Sequence, residues 1–202
     1  TAMKKKSVAV VIVSNGPGEL ATWVSPVVDE LKKINESKYK DKKLNITLRL
    51  VLVPCPNATG KEFIVANSWN KFELITKSKI FWKLLIRPSS FADWPNKGIV
   101  IFLGGDQLWS ILLAKRLGYQ NIAYAEWISR WPHWTNEIAA MNIKVKKLIP
   151  KRYQFKCQII GDLMADIKLD SEITLKNKEK HYVALLPSSK KAKLSIGIPF
   201  FL

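Results

Sequence analysis

An unbroken run of apolar, mostly β-branched residues, Val8-Ala9-Val10-Val11-Ile12-Val13, ends directly in Ser14-Asn15-Gly16-Pro17-Gly18-Glu19-Leu20. A strand that is apolar on both faces has to be covered on both, which is the situation of a central parallel strand feeding a crossover helix. A β-loop-α unit is expected here. The loop is also the first candidate site, because glycines let backbone N–H groups approach a ligand and the following helix adds a positive dipole end. Gly16 and Gly18 equally serve a tight turn with no ligand. The order of residues is not the G-x-G-x-x-G dinucleotide fingerprint, and the Lys-Ser/Thr of a P-loop is missing. Neither NAD nor ATP, nor any other cofactor, is expected.

Further apolar runs recur with helical patterns between them, at Ser7–Val13, Ile46–Val53, Phe72–Thr76, Gly98–Leu103, Asn121–Ala125, Cys157–Ile160 and Tyr182–Pro187. This alternation implies an α/β fold, a Rossmann-like doubly wound parallel sheet. The first helix is expected to start at Glu19 and to be kinked or broken at Pro26, with Ser25 capping a restarted helix that carries Val27, Val28, Leu31 and Ile34 on its apolar face. Residues 1–168 are expected to form one domain, and the charged stretch Leu169–Lys180 a linker. From His181 the pattern of strand, turn and apolar segment repeats up to Leu202. One strand and one helix cannot build a sheet covered on both faces. Residues 181–202 are therefore expected to begin a second domain, and the chain to be a truncated piece of a longer protein.

Gly104-Gly105-Asp106-Gln107 follows the fourth strand, and Leu108, Leu112, Leu113, Ala114 and Leu117 then recur at helical spacing up to Gly118. Ligands of open α/β sheets bind at the carboxyl ends of strands, so Asp106 is the acidic residue best placed for chemistry. The same residue type is also a common helix N-cap. After the fifth strand comes Glu126-Trp127-Ile128-Ser129-Arg130-Trp131-Pro132-His133-Trp134, a composition suited to stacking on a sugar or covering an acyl chain, or to a lid packed on the sheet. Asn15, Gly16, Gly18, Asp106 and this loop are expected to converge on one cleft.

A net charge of +17 has three competing explanations: nucleic acid, a merely solvated surface rich in lysine, or an anionic lipid surface or substrate. Lysine far outnumbers arginine and is spread along the chain, so no nucleic-acid partner is expected. No run reaches the roughly 18 apolar residues of a membrane span. With no signal-peptide pattern, Cys55 and Cys157 are expected to be reduced thiols of a cytoplasmic protein.

Ser-Asn-Gly-Pro-Gly-Glu-Leu (14–20), the Trp-rich loop, Ile-Gly-Asp-Leu-Met-Ala-Asp (160–166) and Leu-Leu-Pro-Ser-Ser-Lys (185–190) together resemble lipid-A-disaccharide synthase, in particular the divergent synthase-like proteins of cyanobacterial type. The resemblance implies a two-domain GT-B glycosyltransferase at the cytoplasmic membrane surface, with an N-terminal acceptor domain. A UDP-linked acylated glucosamine would be the donor and a lipid-linked sugar the acceptor. Where that family usually has Pro-Gly-Ser-Arg, this chain has Pro187-Ser188-Ser189-Lys190.

Inverting sugar transfer needs a base at the acceptor hydroxyl and positive charge at the leaving diphosphate. The assignments are Asp106 as base with Glu126 in reserve, and Asn15, Gly16, Gly18, Glu19, Gln107, Trp127, Arg130 and Trp131 around the acceptor. Ser188, Ser189 and Lys190 would face the donor, and no metal is expected. The 202-residue chain by itself is expected to bind an acceptor without transferring sugar. The alternatives are a nucleotide-sugar epimerase-like enzyme and a non-catalytic basic protein that binds nucleic acid or other anions.

Overall fold

The computed structural model describes residues 6–38, 44–55, 58–167 and 191–201. Among them seven strands form one sheet in the order β3-β2-β1-β4-β5-β6-β7, and every neighbouring pair is parallel. The strands are β1 (Lys6–Ser14), β2 (Leu44–Leu52), β3 (Leu74–Thr76), β4 (Gly98–Phe102), β5 (Gln120–Ala125), β6 (Glu137–Ala140) and β7 (Cys157–Ile159). The fold is thus a doubly wound α/β sheet of Rossmann type. Its order reverses between β1 and β4, where Ile12 lies between Leu50 of β2 and Ile101 of β4.

Alternate residues of the central strands feed two cores, as expected for strands buried on both sides. Ala9, Val11 and Val13 join Val51, Val100 and Phe102 under α4 (Phe81–Ile86) and α5 (Gln107–Leu117). Val10 and Ile12 join Leu48, Leu50 and Leu103 on the opposite face, under α2 (Ser25–Lys38) and α3 (Glu62–Ser68). A third cluster of Ala125, Ile138, Ala140, Val145, Ile149 and Cys157 seats α6 (Ile143–Leu148) against the last strands.

Two local expectations are corrected. The first helix starts at Pro17, with α1 (Pro17–Glu19), and Pro26 does not break it. A π-helical turn, Leu20–Val24, precedes α2, and Ser25 is an interior residue with helical φ −58° and ψ −53° rather than a cap. Ser25 N–H bonds to Leu20 O, five residues back. Proline has no N–H and crowds the carbonyl four residues before it, and a π-turn gives that turn the extra room without ending the helix. The second correction is β6, which the sequence pattern did not reveal. Glu137-Ile138-Ala139-Ala140 is too short and too poor in β-branched residues to stand out. The Trp-rich stretch is therefore the crossover between the parallel strands β5 and β6, in the place where a helix is usual.

The chain divides into two compact units, Thr1–Lys168 and Leu169–Leu202. The described element of the second is α7 (Lys191–Phe201), with Pro199 inside it. The expected linker 169–180, the strand expected at 182–187 and residues Ser188, Ser189 and Lys190 lie outside the described residues. No helix among the described residues is long and apolar enough to cross a membrane.

Candidate functional site

Where parallel strands end, neighbouring chains diverge and their last carbonyls lose ladder partners. Ser14 and Asn15 supply those partners at the end of β1. The Ser14 hydroxyl donates to Leu103 O at 3.3 Å beyond β4, and the Asn15 amide donates to Val53 O beyond β2. Both side chains are buried. Ser14 O accepts from Val53 N–H at 3.1 Å and Val13 O from Leu103 N–H at 2.8 Å, so the three strand ends form one rigid edge.

Glu19 lies on that edge in a slot between two glycines. A Cβ on Gly16 would overlap the Glu19 carboxylate, and one on Gly104 would come within 3.1 Å of Glu19 Cβ and Cγ. Any side chain at either position would press on Glu19. The loops after β1 and β4 are therefore in direct contact on the same edge of the sheet.

A cleft of about 310 Å³ opens there, lined by Glu19, Cys55, Gly105, Asp106, Gln107 and Arg130, with Pro54 and Phe102 completing its wall. It receives the loops after β1, β2, β4 and β5, which is the crevice expected where the strand order reverses. Asp106 caps α5, its Oδ1 accepting from Leu108 N–H at 2.9 Å. Oδ2 accepts no hydrogen bond among the described residues, and Asp106 is exposed on the cleft wall. Arg130 brings the cleft a guanidinium.

Gln107 turns out to be a clamp. Its Nε2 donates to Ile128 O at 2.9 Å, and its Oε1 accepts from Arg130 N–H at 2.8 Å. The amide thereby holds the crossover loop against the start of α5. Within that loop Trp131 stacks on Trp134 at 5.3 Å, and His133 lies against both rings. Trp127 is 75% exposed, and Ile128 is exposed beside it.

The structure thus brings Glu19, Asp106, Gln107 and Arg130 together around the cleft, with Gly16 directly beneath the Glu19 carboxylate. Glu126, Trp127 and Trp131 are not among the residues that line it. Glu126 and Asp162 are instead near enough to the buried Tyr124 hydroxyl to act on it electrostatically. Burial raises the pKa of that hydroxyl, and the two carboxylates add to the shift. Gly18 is exposed at the rim of the loop. Asn15 opens on a second cavity, also of about 310 Å³, between the ends of β2 and β3. Pro54 and Cys55 were not anticipated, because their place depends on the order of strands in the sheet. Cys55 and Cys157 are both free thiols. Among the described residues no cluster of His, Cys, Asp and Glu has the make-up of a metal site.

No protein-family model and no curated protein matches the chain. Among solved structures it is similar to UDP-GlcNAc 2-epimerase from Methanocaldococcus jannaschii, at 15% identity and a TM-score of 0.49. The match covers 77% of this chain and 45% of that one, so the chain spans less than half the epimerase's length. It is also similar to VPA0982 from Vibrio parahaemolyticus RIMD 2210633, a protein of unknown function, at 10% identity and a TM-score of 0.32, over 72% of this chain and 98% of that one. Both likenesses are distant, and the fold rests on the sheet order itself.

Proposed function

We propose that the unit up to Lys168 is the acceptor half of a GT-B glycosyltransferase related to lipid-A-disaccharide synthase, moving an acylated glucosamine from a UDP-sugar to a lipid-linked sugar. The observation that carries this reading is the cleft at the strand-order reversal, where two carboxylates, Glu19 and Asp106, and the Arg130 guanidinium meet. The motifs at 14–20, 126–134, 160–166 and 185–190 supply the finer assignment.

In this reading Asp106 takes the proton of the acceptor hydroxyl through Oδ2 as the oxygen attacks the anomeric carbon, with inversion and loss of UDP. The Leu108 N–H on Oδ1 fixes the orientation of the carboxylate. Glu19, held between Gly16 and Gly104, orients the acceptor through its other hydroxyls. Arg130 attracts the anionic part of the substrate. Ser188, Ser189 and Lys190 provide the donor side. The exposed Trp127 and Ile128 next to Arg130, and the +17 charge, fit an acceptor presented at an anionic membrane surface.

The test is UDP release by the native full-length protein with UDP-acylglucosamine donors and lipid-linked sugar acceptors, followed by Asp106→Asn. Asparagine caps a helix about as well as aspartate, so folding is retained while turnover falls at least ~100-fold. Unchanged turnover would leave Asp106 as a cap and nothing more. Epimerised UDP-sugar without transfer would replace the whole reading.

A further inference from the structure

The opposite end of the sheet from the cleft, where β6 and β7 begin, carries a continuous band of rings and cations that no step described above uses. Lys115 Nζ, in the last turn of α5, lies 4.9 Å from the centre of the Trp134 ring. The Trp134 and His133 ring centres are 4.4 Å apart, and those of His133 and Tyr153 are 6.4 Å apart. Arg152 Cζ and Lys156 Nζ lie 4.8 and 5.4 Å from the centre of Tyr153, and Lys156 Nζ is 6.0 Å from that of Phe155, which is 81% exposed. We infer that this band is a binding surface for single-stranded nucleic acid, its rings stacking on bases while Lys115, Arg152 and Lys156 meet the phosphates.

Three features support this. The first is the charge, which is segregated here: residues 138–161 hold six Lys and Arg and no Asp or Glu, whereas the whole chain has 33 basic residues against 16 acidic ones. Glu137, at the start of β6, is the one acid between 127 and 161. Lysines dispersed along the sequence are gathered because the last turn of α5, the turn before β6 and the 3-10 helix Lys151–Lys156 all lie where strands begin. The ion pairs among the described residues, Lys33 with Glu30 and Lys71 with Asp29, involve none of the three cations. The second feature is that the band is built in advance. Lys156 Nζ donates to Thr135 O at 3.0 Å and to Pro132 O at 3.5 Å, which ties the 3-10 helix to the turn bearing His133 and Trp134. Trp131 backs Trp134 in a stack at 5.3 Å, so the platform has little freedom to lose on binding. The third is the alternation of ring and cation. A lipid surface would draw these rings toward hydrocarbon with charges packed on their faces, which is costly. A nucleic-acid strand uses both at once, since a base stacks on a ring or a guanidinium while its phosphate meets an ammonium.

The test is fluorescence anisotropy of the 202-residue chain with labelled oligouridine of about 12 nucleotides over a range of salt concentrations, beside flotation with phosphatidylcholine vesicles containing phosphatidylglycerol. Saturable binding of oligouridine is the expected result. Phe155→Ala, a change at a mostly exposed side chain that the fold does not need, should weaken it at least ~5-fold without altering its salt dependence, because stacking and not charge is removed. Lys115→Gln/Arg152→Gln should weaken it too, and should reduce the slope of log K against log salt by about 1.4. Lys77→Gln/Lys79→Gln removes the same charge from exposed positions after β3, at the far edge of the sheet, and should leave binding in place. Equal weakening in the two double variants, or no effect of Phe155→Ala, would reduce the binding to net charge and overturn the inference. Absence of oligouridine binding overturns it as well, and vesicle binding in that case would assign the band to a lipid surface. The inference stands apart from the transfer reading, because Asp106→Asn, at the other end of the strands, should leave oligouridine binding unchanged whatever it does to turnover.

Discussion

Gly105 has a φ of +88°, and a Cβ there would meet Val53 Cγ2 at 2.7 Å. Both the left-handed backbone and the lack of space select glycine, and the position sets the direction in which Asp106 leaves β4. Gly105→Ala is expected to cost about 1–3 kcal/mol of stability, read as a lowered urea midpoint with an unchanged slope. Tolerance without loss would mean that the loop relaxes freely and does not aim Asp106. Arg49 shows the same dominance of surroundings over residue type. It occupies the middle of β2 and is only 7% exposed, with its guanidinium 4.5 Å from the Trp94 ring centre and Nη2 donating to Asp93 O at 2.6 Å. Nothing in the apolar patterning of β2 foretold a covered charge. The segment that folds over Arg49 lies more than forty residues further along.

At the scale of elements, the crossover between β5 and β6 is held by side chains instead of helical hydrogen bonds. Asn121 and Asn136 exchange backbone N–H to side-chain oxygen bonds at 2.9 and 3.1 Å, fixing where β5 and β6 begin. Gln107 secures the middle of the loop. Gln107→Ala would leave Ile128 O and Arg130 N–H without their partners and should cost about 1–3 kcal/mol. The loop should then open locally before the sheet does. Limited proteolysis by trypsin is expected to cut after Arg130 several-fold faster in the variant. Equal cutting rates would show that the tryptophan stack, not the amide, holds the loop. The π-turn before Pro26 is a second element-scale compromise. The proline was visible as an interruption, but whether a helix breaks or widens depends on how firmly its flanks are packed. Leu20, Val24 and Val28 are all buried against the sheet here.

Over the whole molecule, buried titratable groups set the pH range of stability. Burial raises the Tyr119 and Tyr124 hydroxyls above their ordinary value of 10.0 and the Cys157 thiol above 9.0. The unfolded chain loses these protons first as pH rises, so stability should fall from about pH 9 upward. Glu62 acts in the opposite sense. Burial pushes its carboxyl up, but hydrogen bonds from Thr59 and from the backbone at Gly60 and Glu62 outweigh this and hold it below 4.5. Its contribution is present above the unfolded value and is lost as pH falls through the folded one. Urea midpoints between pH 3 and 11 should show a plateau from about pH 5 to 9 with losses on both sides. A maximum above pH 10 would contradict the burial of the two tyrosines. The doubly wound sheet was legible in the sequence because strands buried on both faces must be apolar throughout, as in Val8–Val13, and that requirement is local. The loops that carry Gly16, Glu19 and Asp106 were legible for the same reason, since they are the turns those strands run into. Which loops meet was not legible. β1 lies between β2 and β4, so Cys55 and Asp106 share the cleft, Asn15 faces the neighbouring cavity and Glu126 is not part of the cleft lining. Those neighbours are fixed by strand order and by contacts between residues far apart in the chain, and only the folded sheet brings them together.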